Sequence, residues 1–263
     1  MSAPAHLAAE ALLPVNPVLG ILLAALLLTA AGVAAFARLT QDSGAGYARA
    51  VITAGLRATV QLAAVSLIIG WAVGAVPTLL GFVALMFTVA VWTAGRRITG
   101  NRTWWWATAP IAAGVLPVIA TLVLTGLVPV EGIALIPIAG ILIGGALTAT
   151  VLAGRRALAE LHGRRGEVEA GMALGLLERE ARLEIARPVA SEALLPGLDQ
   201  TRTVGLVTLP GAFVGMLLGG ASPLMAGAVQ LFVLVALVLV QVVAVAVTLE
   251  LIARGRLHRK GMP

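Results

Sequence analysis

Seven stretches of this chain are apolar for long enough to cross a bilayer, and nothing else in the sequence constrains the fold as much. A span needs about 20 mostly apolar residues to cover roughly 30 Å of hydrocarbon, where a helix satisfies its own backbone. The stretches fall at about 17–36, 58–76, 79–94, 105–127, 134–153, 203–219 and 224–252. The third is short and the seventh long. The expectation is an all-α integral membrane protein of about seven transmembrane helices, forming one transmembrane domain over residues 1–263. Its one sizeable loop covers residues 154–202.

Composition agrees. Hydrophobic residues make up 60% of the chain and charged residues 11%, where a soluble domain is about a quarter charged. Too few charges remain to cover a surface in water, so most of that surface faces lipid. The net charge of +6 invites a nucleic-acid reading, but the distribution excludes it. Between Arg155 and Arg202 eight arginines meet eight acids and cancel. The remaining ten basic residues sit in short stretches between or after apolar runs, where they report topology.

Lys and Arg concentrate on the cytoplasmic side of membrane proteins. The N-terminal tail, the turn near Pro77, the loop around Glu131 and the turn around Ser222 contain none. Arg38, Arg49 and Arg57 follow the first span, and Arg96, Arg97 and Arg102 follow the third. The eight loop arginines follow the fifth span, and Arg254, Arg256, Arg259 and Lys260 follow the seventh. This alternation predicts an N-terminus outside and a C-terminus inside, in the cell (plasma or inner) membrane. The first apolar run has no basic stretch before it, so it reads as a retained span and not a signal peptide. Trp104, Trp105 and Trp106 read as an interfacial belt.

The loop centre, Glu167 to Arg187, reads as a cytoplasmic helix. Glu160/Arg164, Arg165/Glu169 and Glu178/Arg182 have the spacing of helical ion pairs. Gly171 and Gly175 allow a sharp bend, and Pro188 and Pro196 are expected to break the helix before the sixth span. Glycines recur at four-residue intervals at Gly70/Gly74, Gly140/Gly144 and Gly211/Gly215/Gly219. Such ladders let helices approach closely, within one chain, between two copies, or at a moving gate.

The loop order is Glu169-Ala170-Gly171, three residues, Gly175, nine residues, Ile185, then Ala186-Arg187-Pro188. It resembles the EAA loop of ABC importer-type permeases, with Gly171 in place of the second Ala and Arg187 in place of Leu. Further blocks resemble the FetB-type ABC permeases associated with iron export and metal resistance. They are Arg57-Ala58-Thr59-Val60-Gln61-Leu62, Ile136-Pro137-Ile138-Ala139-Gly140 and Thr203 through Gly211 (TVGLVTLPG), in family order. Gly219-Gly220-Ala221-Ser222-Pro223 stands near that family's G-x-D-P, with Gln230 at the Gln of its Y-Q-I.

The resemblance implies a permease subunit with a coupling helix seated on a separate soluble ATPase, assembled as two permeases with two ATPases. Glu169, Ala170, Gly171, Gly175, Ile185 and Pro188 are then the coupling residues, and Pro210, Gly211, Gly215 and Gly219 form a packing or gate element. Three departures stand out. The family's P-G-M-M-[ST]-G is Pro210-Gly211-Ala212-Phe213-Val214-Gly215, Val229 replaces a Tyr, and Ser222 replaces an Asp.

Polar groups inside spans are functional candidates. Arg57 and Gln61 share a helix face at a spacing of four, and Gln230 and Gln241 share one at eleven. They either line a translocation path, or Arg57 reaches the interface while the amides bond neighbouring helices. Glu250 is expected to pair with Arg254. There is no cysteine, and His6, His162 and His258 all lie outside the apolar runs. No metal site is therefore legible, no cofactor is expected, and a metal cargo rests on the resemblance alone.

No G-x-x-x-x-G-K-[ST] phosphate loop occurs in the sequence, so hydrolysis is expected on a partner chain. A stand-alone secondary transporter or channel is the alternative, and it lacks the paired acid or His that proton coupling needs. A membrane enzyme lacks a catalytic cluster. The partners expected are lipid, an ATPase and a second permease, with no nucleic acid.

Overall fold

The computed structural model describes residues 16–39, 46–72, 75–126 and 135–259. The tail with His6, Gly74, the loop around Glu131, the span edges Leu127 and Ala134, and Lys260 lie outside the described residues. All regular structure among the described residues is helical, and one isolated bridge joins Val204 and Thr208. The chain divides into two compact units, Met1–Ala72 and Val73–Pro263.

The first unit pairs α1 (Pro17–Phe36) with α2 (Tyr47–Ala72). Pro17 opens α1, and the Asn16 side chain caps it by accepting from the Leu19 N–H at 3.0 Å, satisfying a donor that has no partner inside the helix. The two helices approach closely at Gly55, where an added Cβ would lie 2.6 Å from the Leu27 side chain. α2 begins well before the predicted residue 58. Arg49 and Arg57 are not in a connecting loop but on the helix, since Arg is a good helix former and two separated arginines do not stop one.

The second unit contains α3 (Val76–Ile98), a 3-10 turn at Arg102–Ala107, α4 (Thr108–Leu124) and α5 (Leu135–Gly163). These are followed by α6 (Arg165–Ala173), α7 (Glu178–Ser191), a short 3-10 turn at Glu192–Leu194, α8 (Leu195–Thr203), α9 (Gly211–Leu218) and α10 (Pro223–Ala253). α10 and α5 form the centre, with α4 packed on both and α3 against α5. Leu142, Ala146, Leu234, Val240 and Ala244 are buried between them.

Glycines set the closeness of this packing. A Cβ at Gly145 would fall 2.1 Å from Leu237, and one at Gly114 would fall 2.8 Å from the Val240 carbonyl. Without a hydrophobic drive between helices in lipid, such close backbone approach supplies the attraction. The predicted ladders behave differently. Gly140 meets Met86, while Gly70, Gly144, Gly211 and Gly215 have nothing within 4 Å.

Among the described residues six helices are long and apolar enough to cross a membrane, and the sixth of the seven predicted spans differs. Residues 203–219 are not one helix. α8 ends at Thr203, the backbone turns through residues 204–210 with Gly205 at φ +82°, and α9 then runs for only 8 residues. Pro210 supplies no N–H and fits at the N-cap it occupies, and Gly205 relieves the left-handed turn. The eight residues of α9 reach about 12 Å, well short of a bilayer.

The loop expected from residue 154 also begins as helix, because α5 continues to Gly163 with Ala157 and Leu158 buried. Pro188 does not break the next helix but lies inside α7, and Pro196 stands in the first turn of α8. A proline there removes one backbone bond, and burial of Ala186 and Ala190 on either side holds the helix together.

At the arginine-rich end the segment after α10 is clamped onto the turn between α3 and α4. The Asn101 side chain donates to the His258 carbonyl at 2.7 Å, and Arg259 Nε donates to the Ile98 carbonyl at 2.9 Å. The Arg256 guanidinium lies 4.8 Å from the Trp106 ring centroid, and Trp106 stacks on Trp105 at 4.2 Å. Trp106 therefore belongs to this clamp as a cation–π partner, while Trp105 remains exposed as a belt residue would.

Candidate functional site

α6 and α7 form a helical hairpin beyond the end of α5. α6 stops at a Schellman turn: the Leu176 N–H donates to the Gly171 carbonyl at 3.1 Å and the Gly175 N–H donates to the Met172 carbonyl at 3.0 Å. Gly175 has φ +98°, a conformation that L side chains rarely adopt. Gly171 sits where the two helices touch, and a Cβ there would lie 3.3 Å from that of Ala181. The Gly in place of the second Ala thus has a local reason. α7 is opened by Glu180, whose carboxylate accepts from the Leu177 N–H at 3.2 Å.

The hairpin is tied down on its inner side. Val168, Ala181 and Ile185 form a small core with Leu161 of α5. Arg179 makes a two-pronged bond to Glu250 of α10, at 2.8 and 2.7 Å, and Glu250 also pairs with Arg254. The hydrogen bonds to Glu250 raise the Arg179 pKa further above its ordinary value. The three ion pairs expected from spacing are present, Glu160–Arg164, Arg165–Glu169 and Glu178–Arg182. Arg164 also holds Glu167, whose carboxyl is pushed below its usual range by that bond.

The outer side is the reverse. Leu174 is 88% and Leu177 69% exposed, with Leu176 and Met172 also uncovered. A cluster of large apolar side chains on the tip of a charged hairpin is what a protein-docking surface presents. Glu169 and Ala170 are exposed on the same hairpin, Ile185 is in its core, and Pro188 is exposed on α7. A cleft of about 280 Å³ lies between the hairpin and the end of α10, with Leu161, His162, Met172, Arg182 and His258 among its lining.

The intramembrane candidates fall in both units. Arg57 and Gln61 are exposed on one face of α2 in the first unit. Gln230 and Gln241 are both buried on α10. Gln241 is wedged between two glycines, with a Cβ at Gly197 falling 1.9 Å from its Oε1 and one at Gly145 3.5 Å from its Nε2. Gln230 Oε1 has no hydrogen-bond partner among the described residues. Sequence reasoning missed Arg179, Gly145 and Gly197, whose partners are distant in the chain. Asp199 and Arg202, expected in the loop of residues 154–202, lie on α8, which packs on α10. Among the described residues no group of three His, Cys, Asp or Glu could hold a metal ion.

Known proteins supply a context for this arrangement. STAR2 of Oryza sativa subsp. japonica, a UPF0014 membrane protein, is 37% identical over 153 residues, covering 57% of this chain and 53% of that protein. YjkA of Bacillus subtilis (strain 168), also a UPF0014 membrane protein, is 29% identical over 202 residues, covering 74% of this chain and 79% of YjkA. The probable iron export permease protein FetB of Escherichia coli (strain K12) is 32% identical over 127 residues, 47% of each chain. The chain spans about half the length of the rice relative and of the Arabidopsis thaliana protein ALUMINUM SENSITIVE 3. No solved structure matches it. Residues 19–256 match the model of the Uncharacterised protein family (UPF0014), and the chain therefore belongs to that family.

Proposed function

We propose that this chain is the permease subunit of an ABC-type exporter, driven by a separate soluble ATPase and carrying a metal ion such as iron out of the cell. The observation that carries the reading is the α6–α7 hairpin. Its apolar tip is uncovered at Leu174 and Leu177, while its base is fixed to α5 through Ile185 and to α10 through Arg179–Glu250. A surface open to a partner on one side and fastened to two long helices on the other passes a partner's movement into the membrane as a rigid-body tilt. The metal cargo is supported by the printed name of the FetB relative. Two permeases with two ATPases, in the plasma or inner membrane with the hairpin on the cytoplasmic side, complete the proposal.

The test uses inverted vesicles containing this chain and its candidate ATPase. ATP-dependent uptake of ferrous iron is measured beside ATP hydrolysis, with Leu174→Asp as the control. Iron uptake that the control abolishes supports the reading. Binding of the ATPase that is indifferent to Leu174→Asp removes the hairpin as its seat, and hydrolysis without iron movement removes iron as the cargo.

A further inference from the structure

The interruption between α8 and α9 lies where lipid cannot serve it. Gly197 of α8 backs onto Gln241, which stands nine residues before Glu250, about 13 Å along α10. No charged residue occurs between Arg202 and Glu250. At its other end, α9 is joined to α10 by residues 219–222 and packs beside it. The non-helical stretch 204–210 therefore sits within the apolar length of α10.

Its hydrogen bonding is incomplete. The Thr203 carbonyl accepts from the N–H groups of Leu206, Val207 and Thr208, and the Thr208 carbonyl accepts from Gly205. The carbonyls of Gly205, Leu206, Val207 and Leu209 accept nothing among the described residues. Leu206 is 92% and Val207 77% exposed, and α9 buries no residue. Irregular backbone at membrane depth persists only inside protein or beside water. α8 itself exposes Asp199, Gln200 and Arg202, a polar face that hydrocarbon penalises.

The geometry points to residues 199–211 as the wall of a water-filled route through the membrane, where a solute in transit meets protein oxygens. The inference rests on the transport reading above and adds a location and a chemistry. Main-chain carbonyls and the Thr208 hydroxyl supply acceptors that suit a cation, while Asp199 pairs with Arg202 at 3.4 Å and leaves that end of the wall without net charge.

The chain has no cysteine, so single cysteines report water access directly, since only the hydrated thiolate reacts. Leu206→Cys, Val207→Cys and Leu209→Cys are compared with Leu239→Cys, which is exposed on uninterrupted helix. Only variants that insert and elute as the parent does are used, and three positions guard against the loss of one. In sealed vesicles, a membrane-impermeant cationic methanethiosulfonate is expected to label the turn roughly tenfold faster than residue 239. An anionic reagent of similar size should react more slowly there, after correction for intrinsic rates. Labelling as slow as at 239 overturns the route, as does slow labelling accompanied by disulfide formation between two copies, which marks a dry dimer contact. Equal or faster reaction of the anionic reagent overturns the cation preference. The assay needs neither ATP nor a partner, so its failure and that of the ATPase reading are separable.

Discussion

Gly197→Ala tests the wedge around Gln241. The new Cβ would fall 1.9 Å from Gln241 Oε1 and 2.8 Å from its Cδ, so both cannot keep their places. The atoms in the way end a flexible side chain, so the amide must rotate. Gly145 crowds the same amide on its other side, with its Cβ direction 3.5 Å from Nε2. Overpacking of this kind costs about 1–3 kcal/mol. Gln241→Ala alone leaves a hole lined by Gly197 and Gly145. In the double variant the added methyl enters the vacated space, so the two changes compensate by about 1–2 kcal/mol. The assay is thermal unfolding of the purified protein in detergent, where each kcal/mol moves Tm by about 2–4 °C for a chain near this size. Gly197→Ala should lower Tm by roughly 2–12 °C, with part of that loss recovered when Gln241→Ala is added. An unchanged Tm for Gly197→Ala, or double-variant shifts that add within about 0.5 kcal/mol, would refute the contact.

Gly175→Ala should destabilise the hairpin by about 1 kcal/mol, because residue 175 holds φ +98° with open space around it. Gly175→Asn should cost less, and hydrogen exchange over residues 164–191 checks both. Arg179→Ala removes the bond to Glu250, but the pair is solvent-exposed and contributes little to stability. Tm should hardly move while protease cleavage of the hairpin and uncoupled ATP hydrolysis increase. The Arg164–Glu167 pair is set by a carboxyl held below its ordinary value. Its contribution is present above the usual carboxylate range and lost as pH falls through the lowered folded value, so a carbon-13 titration of Glu167 should show its midpoint below that of a free glutamate. Trp106→Ala should release Arg256 and cost about 0.5–2 kcal/mol, with loosening around residues 98–106 read by hydrogen exchange.

What the sequence discloses here depends on how local the cause is. The four-residue ion pairs and the bend at Gly175 follow from helix periodicity and backbone sterics, which neighbouring residues decide. The apolar runs disclose the long helices for the same reason. The break at 204–210 escapes a hydropathy reading because Val204, Leu206, Val207 and Leu209 are as apolar as any span. The signal was in the backbone residues Gly205, Pro210 and Gly211. The glycine ladders mislead in a related way. Gly144 faces open space while its neighbour Gly145 meets Leu237, since one residue turns a helix face by about 100° and regular spacing does not say which face has a partner. Arg179–Glu250 and Asn101–His258 join residues far apart in the chain, and only the packing of α10 brings them together. The pathway candidates Gln230 and Gln241 were visible as amides among apolar residues, but the orphaned oxygen of one and the wedged amide of the other were not.

The clamp between the α3–α4 turn and the segment after α10 also sets an order of events at the ribosome. Asn101 waits 157 residues for the His258 carbonyl, and Ile98 waits 161 for Arg259. At about 5–20 residues per second, that is a delay of about 8–32 s after the turn is made. Over the same interval Leu142 and Ala146 of α5 lack α10, and the hairpin lacks Glu250. The nascent protein thus pairs α3, α4 and α7 with α5 first, and closure of the centre comes with the arrival of a single late helix. An arrest of synthesis before α10 should leave a product that is inserted but open to proteases at both the hairpin and the 98–106 turn.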